Sequence, residues 1–513
     1  MKAKKMIGAI MSVIMSASML LMGCTNDATG TAADNTATAT QETAQQEGST
    51  AGTDEQVEED TPAETYENHE DGGHAIEADG EEKSYSNAKV VKTGDADGDE
   101  ADFYGENSAI YATNGAKLTL SDMNISTEGA HANAVFSYGE GTEIDISDST
   151  IETTGNCSGG IMTTGGGTTN ASNLTIHTTG NSSAAIRSDR GGGVVTVNGG
   201  NYTTDGKGSP AIYSTADITV NDASLTSTAS QGVVVEGKNS VTLNDVVLNA
   251  DNNTKNSDKS DYYQAVMIYQ SMSGDADTGL SQFTANGGSI SNANGDVFFV
   301  NNTATDISLT GVEIVNNGDG VFLRAAAAGW GKDGENGGKV NLTASGQKID
   351  GDMIIDDISV LNLYLKDGSS FSGAINSDGA AGDVYVELTG GSKWTLTGDS
   401  YIKSLTCDAD SIDLNGYTLT VDGETYTAAS KSDGEAIEIN MSEGRGGMSP
   451  PSGNEPPDMG NKPSDNGNME PPADGERPGS SDGEPPEKPD GEPPEKPDGE
   501  GGPRDGNPPD KPD

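Results

Sequence analysis

The chain has 513 residues, of which 32% are hydrophobic and only 5% aromatic, and it contains 70 glycines. This mixture is poor in helix-forming residues and rich in turn-forming ones, so it argues against a helical protein. The formal net charge of −54 argues against nucleic-acid binding and against docking on an anionic membrane through charge, because contacts with phosphates require Lys and Arg.

The N-terminus carries an export signal. Residues 1–5 are basic and residues 6–22 form an apolar run, which is typical of a secretory signal peptide over residues 1–23. The run is too short, and too soon interrupted, for a comfortable membrane span. It ends in Leu21-Met22-Gly23-Cys24, which resembles the lipobox of bacterial lipoproteins. The resemblance implies cleavage before Cys24, lipidation of its sulfur, and an exported protein anchored to the cell membrane and facing outside. The alternative is a free cysteine in a simple signal peptide.

Two long segments are predicted to be disordered. Residues 24–83 are mostly Thr, Ala, Gln, Glu and Gly, which cannot bury a core, so they should form a flexible tether. Residues 431–513 are rich in Pro, Gly, Asp and Glu and repeat one octapeptide at 483–490 and 491–498. This composition predicts an extended, acidic, disordered tail.

Residues 84–430 carry an internal repeat, in which a small residue is followed by a β-branched residue. From Ile110 to Ile212 this pair recurs with a nearly constant period of about 25 residues, which is typical of a solenoid. The β-branched positions there are Ile110, Val135, Ile161, Ile186 and Ile212. The pattern then continues at less regular spacings through Val233, Val266, Val297 and Val321.

Each repeat contains two further short strands. Residues 117–120 and 123–126 alternate apolar and polar side chains in the first repeat, and residues 143–146 and 150–153 do so in the second. Period-two alternation indicates β-strands, and Gly, Asn and Asp between them supply turns. Three strands in about 25 residues predict an all-β fold, a single-stranded right-handed parallel β-helix of roughly 13 coils stacked about 4.8 Å apart. Tandem sandwiches would not require so regular a period.

The remaining cysteines lie too far apart to pair. Cys157 and Cys407 would be separated by roughly ten coils, whereas bridged Cα atoms lie within about 7 Å of each other. We therefore expect both to be small buried residues.

The coils resemble the pectate-lyase-like right-handed parallel β-helix superfamily and, more narrowly, adhesin-like and carbohydrate-binding β-helix lipoproteins of anaerobic Gram-positive bacteria. The resemblance covers about two thirds of the chain. It implies a fold more strongly than a function, because one fold hosts many activities.

The superfamily also includes polysaccharide lyases and hydrolases, so we searched for their residues. The resemblance to polygalacturonases would require Gly-His-Gly and Arg-x-Lys motifs, and none of the four histidines is flanked by two glycines. The best lyase-like cluster is Arg187, Asp189 and Arg190, where an Arg base would lie beside a calcium-binding Asp. The alternative, which we favour, is a salt-bridged surface turn.

Aromatic residues recur at one position of the first strand in each repeat. If the β-branched residue points inward, the next residue points outward. The resulting stripe, with one tyrosine two places further on, predicts a platform on which sugar rings could stack. The alternative is that the insertions 250–264, 271–280 and 324–338 cover it. The candidate glycan-binding residues are Tyr111, Phe136, Tyr138, Tyr213, Phe298 and Phe322.

An acidic segment at the start of the repeats suggests Ca²⁺, whose preferred ligands are carboxylates and carbonyls. Asp95, Asp97, Asp99 and Asp102 alternate with small residues, as in a calcium loop. The segment departs from the EF-hand pattern, because it has no Glu at the twelfth position. A solvated acidic turn is the alternative.

The sequence therefore predicts a monomeric, non-catalytic, adhesin-like surface lipoprotein that binds a polysaccharide or other glycan. Its expected partners are that glycan and, through Cys24, the membrane. A polysaccharide lyase or hydrolase acting on acidic glycans such as pectin is the runner-up. A structural envelope spacer is the third possibility.

Overall fold

The computed structural model describes Pro62 and residues 64–379, 382–427 and 429–439. Cys24, the predicted signal peptide, most of the predicted tether and nearly all of the predicted tail lie outside these residues. Within them the chain is almost entirely β-structure with one short helix, α1 (Asp99–Tyr104), and the predicted all-β parallel β-helix is confirmed. No helix in this part of the chain is long and apolar enough to span a membrane.

The coils build three faces, which we call the first, second and third face in the order in which the chain visits them. The first face is an 11-stranded parallel sheet. From Ile110 to Val233 each of its strands begins at the β-branched residue of the repeat. The strands of this face are Ile76–Asp79, Ile110–Thr113, Val135–Tyr138, Ile161–Thr164, Ile186–Ser188, Ile212–Ser214, Val233–Glu236, Gln264–Tyr269, Asp296–Asn301, Val321–Ala325 and Asp352–Ile355.

The second and third faces form one 22-stranded sheet, because the strands Gly167–Thr178 and Gly193–Thr204 run from one face into the other. The other strands of the second face are Glu82–Ser86, Lys117–Ser121, Glu143–Ser147, Asp217–Asn221, Ser240–Asn244, Leu280–Asn286, Ala304–Thr310, Lys339–Ser345, Val360–Lys366, Asp383–Leu388, Ser404–Cys407 and Ser432–Asp433. The other strands of the third face are Glu64–Asn68, Ala88–Lys92, Asn124–Thr127, Thr150–Thr153, Ser224–Ser227, Val247–Ala250, Ser289–Asn292 and Glu313–Asn316.

Two smaller sheets complete the C-terminal coils. The four-stranded sheet consists of Lys348–Asp350, Ser370–Ser372, Lys393–Thr395 and Ile412–Asp413. The three-stranded sheet consists of Ser400–Ile402, Leu419–Val421 and Glu424–Thr425.

The core consists of inward side chains that stack from coil to coil. Ile110, Val135, Ile161, Ile186 and Ile212 are directly paired along the first face, and all are buried. A single coil could not bury these side chains alone, so stability comes from the contacts between neighbouring coils.

A repeated polar turn explains why the middle coils keep so constant a length. Thr178 Oγ1 donates to the Ser183 carbonyl oxygen at 2.5 Å, and Ser183 Oγ donates to the carbonyl oxygen of Gly155 in the preceding coil at 3.1 Å. The backbone N–H of Ser183 donates to Ser209 Oγ of the next coil at 2.9 Å. These turns therefore form a hydrogen-bonded ladder that fixes the register of each coil on its neighbours.

The β-helix begins at Glu64, not at residue 84, so part of the predicted tether belongs to the first coil. Its turn is closed by Lys92, which is fully buried and takes the position held by a threonine in the next coil. Lys92 Nζ donates to the carbonyl oxygens of Glu70 at 2.6 Å and Gly72 at 3.2 Å. The first coil, which the sequence predicts to be part of a flexible tether, is thus held in place by the buried ammonium group of Lys92.

The described chain also continues past the predicted end of the β-helix at residue 430. Ser432–Asp433 pairs antiparallel with Ser404–Cys407. The side chain of Asn362 then donates to the carbonyl oxygen of Ile437 and accepts from its N–H, both at 2.9 Å. The first residues of the predicted tail therefore lie on the second face.

The two cysteines within the described residues are both buried, as expected. Cys407 is free, so it does not pair with Cys157.

Candidate functional site

The outward side chains of the first face form one continuous column across its strands. Their order in the column follows directly from the strand pairing. The members are Glu77, Tyr111, Phe136, Met162, Arg187, Tyr213, Val234, Met267, Phe299, Arg324 and Ile354.

The N-terminal half of this column lies beneath helix α1. The Phe103 carbonyl oxygen accepts a hydrogen bond from Thr164 Oγ1 at 2.8 Å. A Cβ atom added to Gly105 would lie 2.9 Å from the rings of both Tyr111 and Phe136, so the backbone after α1 packs directly on them. Tyr111 is 7% exposed and Phe136 is fully buried.

The C-terminal half is covered by segments inserted after the third and first faces. Trp330 lies edge-on to Tyr269, with ring centroids 5.2 Å apart, and Tyr262 packs on Phe299 at 5.4 Å. Tyr213 is 7% exposed. Of the two alternatives left open by the sequence, the covered column is the one observed; Tyr138 is half-buried against Tyr104 of α1.

The sequence predicts that Phe298 and Phe322 point outward, and this prediction is wrong, because both side chains lie in the core. Phe298 is paired with the inward Val266, and Leu323 continues its column. Phe322 lies at a register shift between Val321 and Leu323, and its ring meets that of Phe298 at 5.4 Å inside the core. Because side chains alternate with period two, a slip of one residue moves a side chain to the opposite face.

Two members of the lyase-like trio, Arg187 and Asp189, are buried, and the third, Arg190, is half-buried between the covering segments. Arg187 Nη2 lies 2.8 Å from Asp189 Oδ2. Arg190 connects helix α1 with the segment 271–280. Its Nη1 lies 2.8 Å from Asp99 of α1, and its Nε lies 2.7 Å from Asp275 of that segment. Its guanidinium carbon also lies 3.7 Å from the centre of the Phe103 ring, a cation–π contact.

A second polar group lies two coils further along the same face. The Tyr213 hydroxyl donates to Glu236, and the Ser271 hydroxyl donates to the other oxygen of the same carboxylate. Glu236 is 1% exposed beneath the segment 271–280. Each of its two carboxylate oxygens accepts a hydrogen bond from the protein.

Burial shifts the protonation of these groups. Desolvation raises the pKa of Asp189 to about 7, although the Arg187 charge opposes the shift, and the charges of Asp275 and Glu236 add to it. Desolvation also raises the pKa of Glu236. Burial alone would lower the pKa of Arg187, but the charges of Asp189 and Asp102 outweigh it, so Arg187 stays a cation.

A small, half-open pocket lies beside this charged group, at the edge of the first face. Arg187 and Tyr213 contribute to its wall, and two turns supply the remainder. The lining residues are Ser182, Ala184, Arg187, Gly208, Pro210 and Tyr213.

The predicted calcium ligands do not converge. Asp95 accepts a hydrogen bond from the Ala130 N–H at 2.8 Å, Asp99 pairs with Arg190, and Asp102 turns inward to His131. Among the described residues, the ligand atoms of His, Cys, Asp and Glu come together within 4.8 Å at Asp102, His131 and Cys157, a group that contains only one of the four aspartates. Calcium binding stays a prediction.

Asp102 and His131 contact each other directly. Asp102 Oδ1 and His131 Nδ1 are 2.9 Å apart and both side chains are buried. Two ligands of one tetrahedral zinc ion would be held roughly 3.3 Å apart, given metal–ligand distances of about 2.0–2.1 Å. The observed contact is closer than that separation, so we assign no metal to this group.

Seven strands of the second face contrast with the first face, because their outward side chains are left uncovered by the rest of the described chain. Three outward positions on each of seven strands give 21 side chains, none of them buried, and only two of them charged. We call this set the hydroxyl–amide face. Its members are Thr168, Asn170, Ser172, Val194, Thr196, Asn198, Asp217, Thr219, Asn221, Ser240, Thr242, Asn244, Gln282, Thr284, Asn286, Asp306, Ser308, Thr310, Asn341, Thr343 and Ser345.

The asparagines of this face form an amide ladder. Asn221 donates to Asn198 at 3.0 Å, Asn244 donates to Asn221 at 2.8 Å, and Asn286 donates to Asn244 at 2.9 Å. Asn221 Nδ2 also donates to the Val197 carbonyl oxygen at 3.3 Å, so the ladder is tied to the backbone of the neighbouring strand. The sequence analysis missed this face, although Thr and Asn recur at matching places in 217–221 and 240–244.

Comparisons with protein families, with curated proteins and with solved structures found no match for this chain.

Proposed function

We propose that this protein is a non-catalytic, adhesin-like surface lipoprotein that binds a glycan along its β-helix. The observation that carries the proposal is the hydroxyl–amide face: an open sheet surface with hydroxyl and amide groups in register and only two carboxylates, in a chain of net charge −54. Such groups can both donate to and accept from sugar hydroxyls. A neutral glycan fits this surface better than an acidic one, which the overall charge would repel.

The aromatic residues that the sequence predicts to bind glycan support this proposal less than the hydroxyl–amide face does. Tyr111, Phe136 and Tyr213 are covered, and Phe298 and Phe322 lie in the core. The lyase or hydrolase alternative depends on Arg187, Asp189 and Arg190. Arg187 and Asp189 are buried, Arg190 is half-buried, and the charges of both arginines are taken up by ion pairs with carboxylates of the protein, which makes a catalytic role the weaker proposal.

Glycan binding can be tested by retention of the full chain on immobilised polysaccharides. We expect retention on a neutral polysaccharide from a panel that also includes mucin glycans, cell-wall material and polygalacturonate, equally with calcium and with chelator. The double variant Thr219→Lys/Thr242→Lys should lower retention at least tenfold, because two long cations break the flat hydrogen-bonding surface.

The matched control is Thr203→Lys/Thr226→Lys, which places two lysines on neighbouring strands of the third face. It should leave retention unchanged. If no glycan in the panel is retained, an envelope spacer or a protein-binding role becomes the better proposal. Equal losses in the Thr203/Thr226 and Thr219/Thr242 variants would contradict the assignment to the second face.

We also propose that Cys24, which lies outside the described residues, carries the lipid anchor. Changing Cys24→Ala in the producing cell should move the protein from the membrane fraction to the soluble fraction, because the acyl chains provide the membrane affinity. Fractionation followed by immunoblotting measures this shift, and Thr25→Ala is the control. A Cys24→Ala variant that stays with the membrane would argue against lipidation.

A further inference from the structure

Five charged side chains meet where the segment 271–280 closes on the first face. The carboxylates of Asp189, Glu236 and Asp275 lie near the guanidinium groups of Arg187 and Arg190. We call these five residues the carboxylate joint, and the segment 271–280 the flap. Asp189 and Glu236 belong to the β-helix, whereas Asp275 belongs to the flap.

The flap is held to the joint mainly by polar contacts. Ser271 donates to Glu236, Asp275 pairs with Arg190, and Gln270 Nε2 donates to the Ala276 carbonyl oxygen at 3.2 Å. On its far side, the Asp277 carbonyl oxygen accepts from the Lys238 N–H at 2.9 Å. The tip of the flap therefore depends on hydrogen bonds and ion pairs whose strength changes with protonation.

The carboxylate joint contains more carboxylates than guanidinium groups. Arg187 and Arg190 serve its three carboxylates and also face Asp102 and Asp99 of α1. The remaining titratable groups that face the joint are the phenols of Tyr213 and Tyr269, which are neutral acids near pH 7. Buried like charges repel one another strongly, because the low local dielectric screens them poorly.

We propose that the flap is a pH-responsive cover: it is closed over the carboxylate joint in acid and loosens as the pH rises towards neutral, after which the opening levels off. The moving part is the tip, residues 272–276, which carries Asp275. Its loosening would uncover Tyr213 and Glu236 and widen access to the pocket lined by Arg187 and Tyr213. The proposal does not depend on glycan binding by the second face.

The direction of the pH effect follows from the protonation of the joint. Burial raises the pKa of Asp189 from its ordinary value to about 7, and that of Glu236 also rises. A carboxyl whose pKa is raised in the closed state holds its proton more tightly there than in the open state. Rising pH therefore favours opening from the ordinary pKa up to the raised one, and this contribution to the closed state is complete only below the ordinary pKa.

Hydrogen exchange of the flap in the full chain measures this opening directly. After correction for intrinsic exchange rates, we expect the flap amides to open more at about pH 8.5 than at about pH 5.5. The ratio can reach about 30-fold if opening returns the pKa of Asp189 to its ordinary value. Asp189→Asn, which is neutral at every pH, should remove most of this dependence.

The matched control is Asp277→Asn, which neutralises an exposed carboxylate of the same flap that pairs with Lys238 outside the joint. It should keep the pH dependence. Glu236→Gln provides a second joint variant, in which the dependence should shrink. Equal opening at both pH values in the unmodified chain would overturn the proposal without any variant, and so would an Asp189→Asn chain that keeps the full dependence.

Discussion

Replacing Gly180 by alanine should destabilise the β-helix more than almost any other single change, by about 3–5 kcal/mol. An added Cβ would overlap the carbonyl oxygen of Gly155 in the neighbouring coil and lie 2.5 Å from its carbonyl carbon. Backbone atoms cannot rotate away as a flexible side chain can. The coils would have to separate, which breaks the ladder that Ser183 makes between them.

Chemical denaturation of the variant, followed by circular dichroism, measures this loss. Gly115→Ala is the matched control, because Gly115 has a φ of 78° but no atom within 4 Å of the added Cβ. Its free energy of unfolding should fall by only about 1–2 kcal/mol, which is the penalty for an alanine in the left-handed conformation. If both variants lost the same stability, backbone conformation and not coil-to-coil contact would limit these turns.

Replacing Phe298 by alanine should cost about 3–5 kcal/mol, as expected for a fully buried aromatic side chain. Its ring contacts those of Phe283 at 5.5 Å and Phe322 at 5.4 Å, so the change leaves a cavity between three stacked coils. The same denaturation measurement applies. Because coils in a solenoid depend on their neighbours, hydrogen exchange should show the loss concentrated around residues 283–323.

Val194→Ala is the control for this prediction, because Val194 is 46% exposed on the second face. It should change stability by no more than about 0.5 kcal/mol. A loss at Phe298 as small as the one at Val194 would mean that the ring is not in the core, and it would restore the outward orientation that the sequence first suggested.

The register of these strands could be predicted only where the repeat is regular. From Ile110 to Ile212 the period is nearly constant, and the inward positions predicted there agree with the strand pairing. Further along, the spacing is irregular, and Val297 was matched to Val266 because both are β-branched. In the structure Val266 is opposite Phe298. With a period of two, an error of one residue reverses every orientation that follows.

The sequence by itself determined the parallel β-helix, because the fold depends on a short sequence repeat in which each coil makes similar contacts with the next. It also determined which residue types form the core. Only the tertiary structure decided which outward surface is open, because the segments that cover Tyr111 and Tyr213 are distant in sequence from the strands they cover. Arg190 shows this most clearly: its partners Asp99 and Asp275 are 91 and 85 residues away in the chain, and no local pattern relates them.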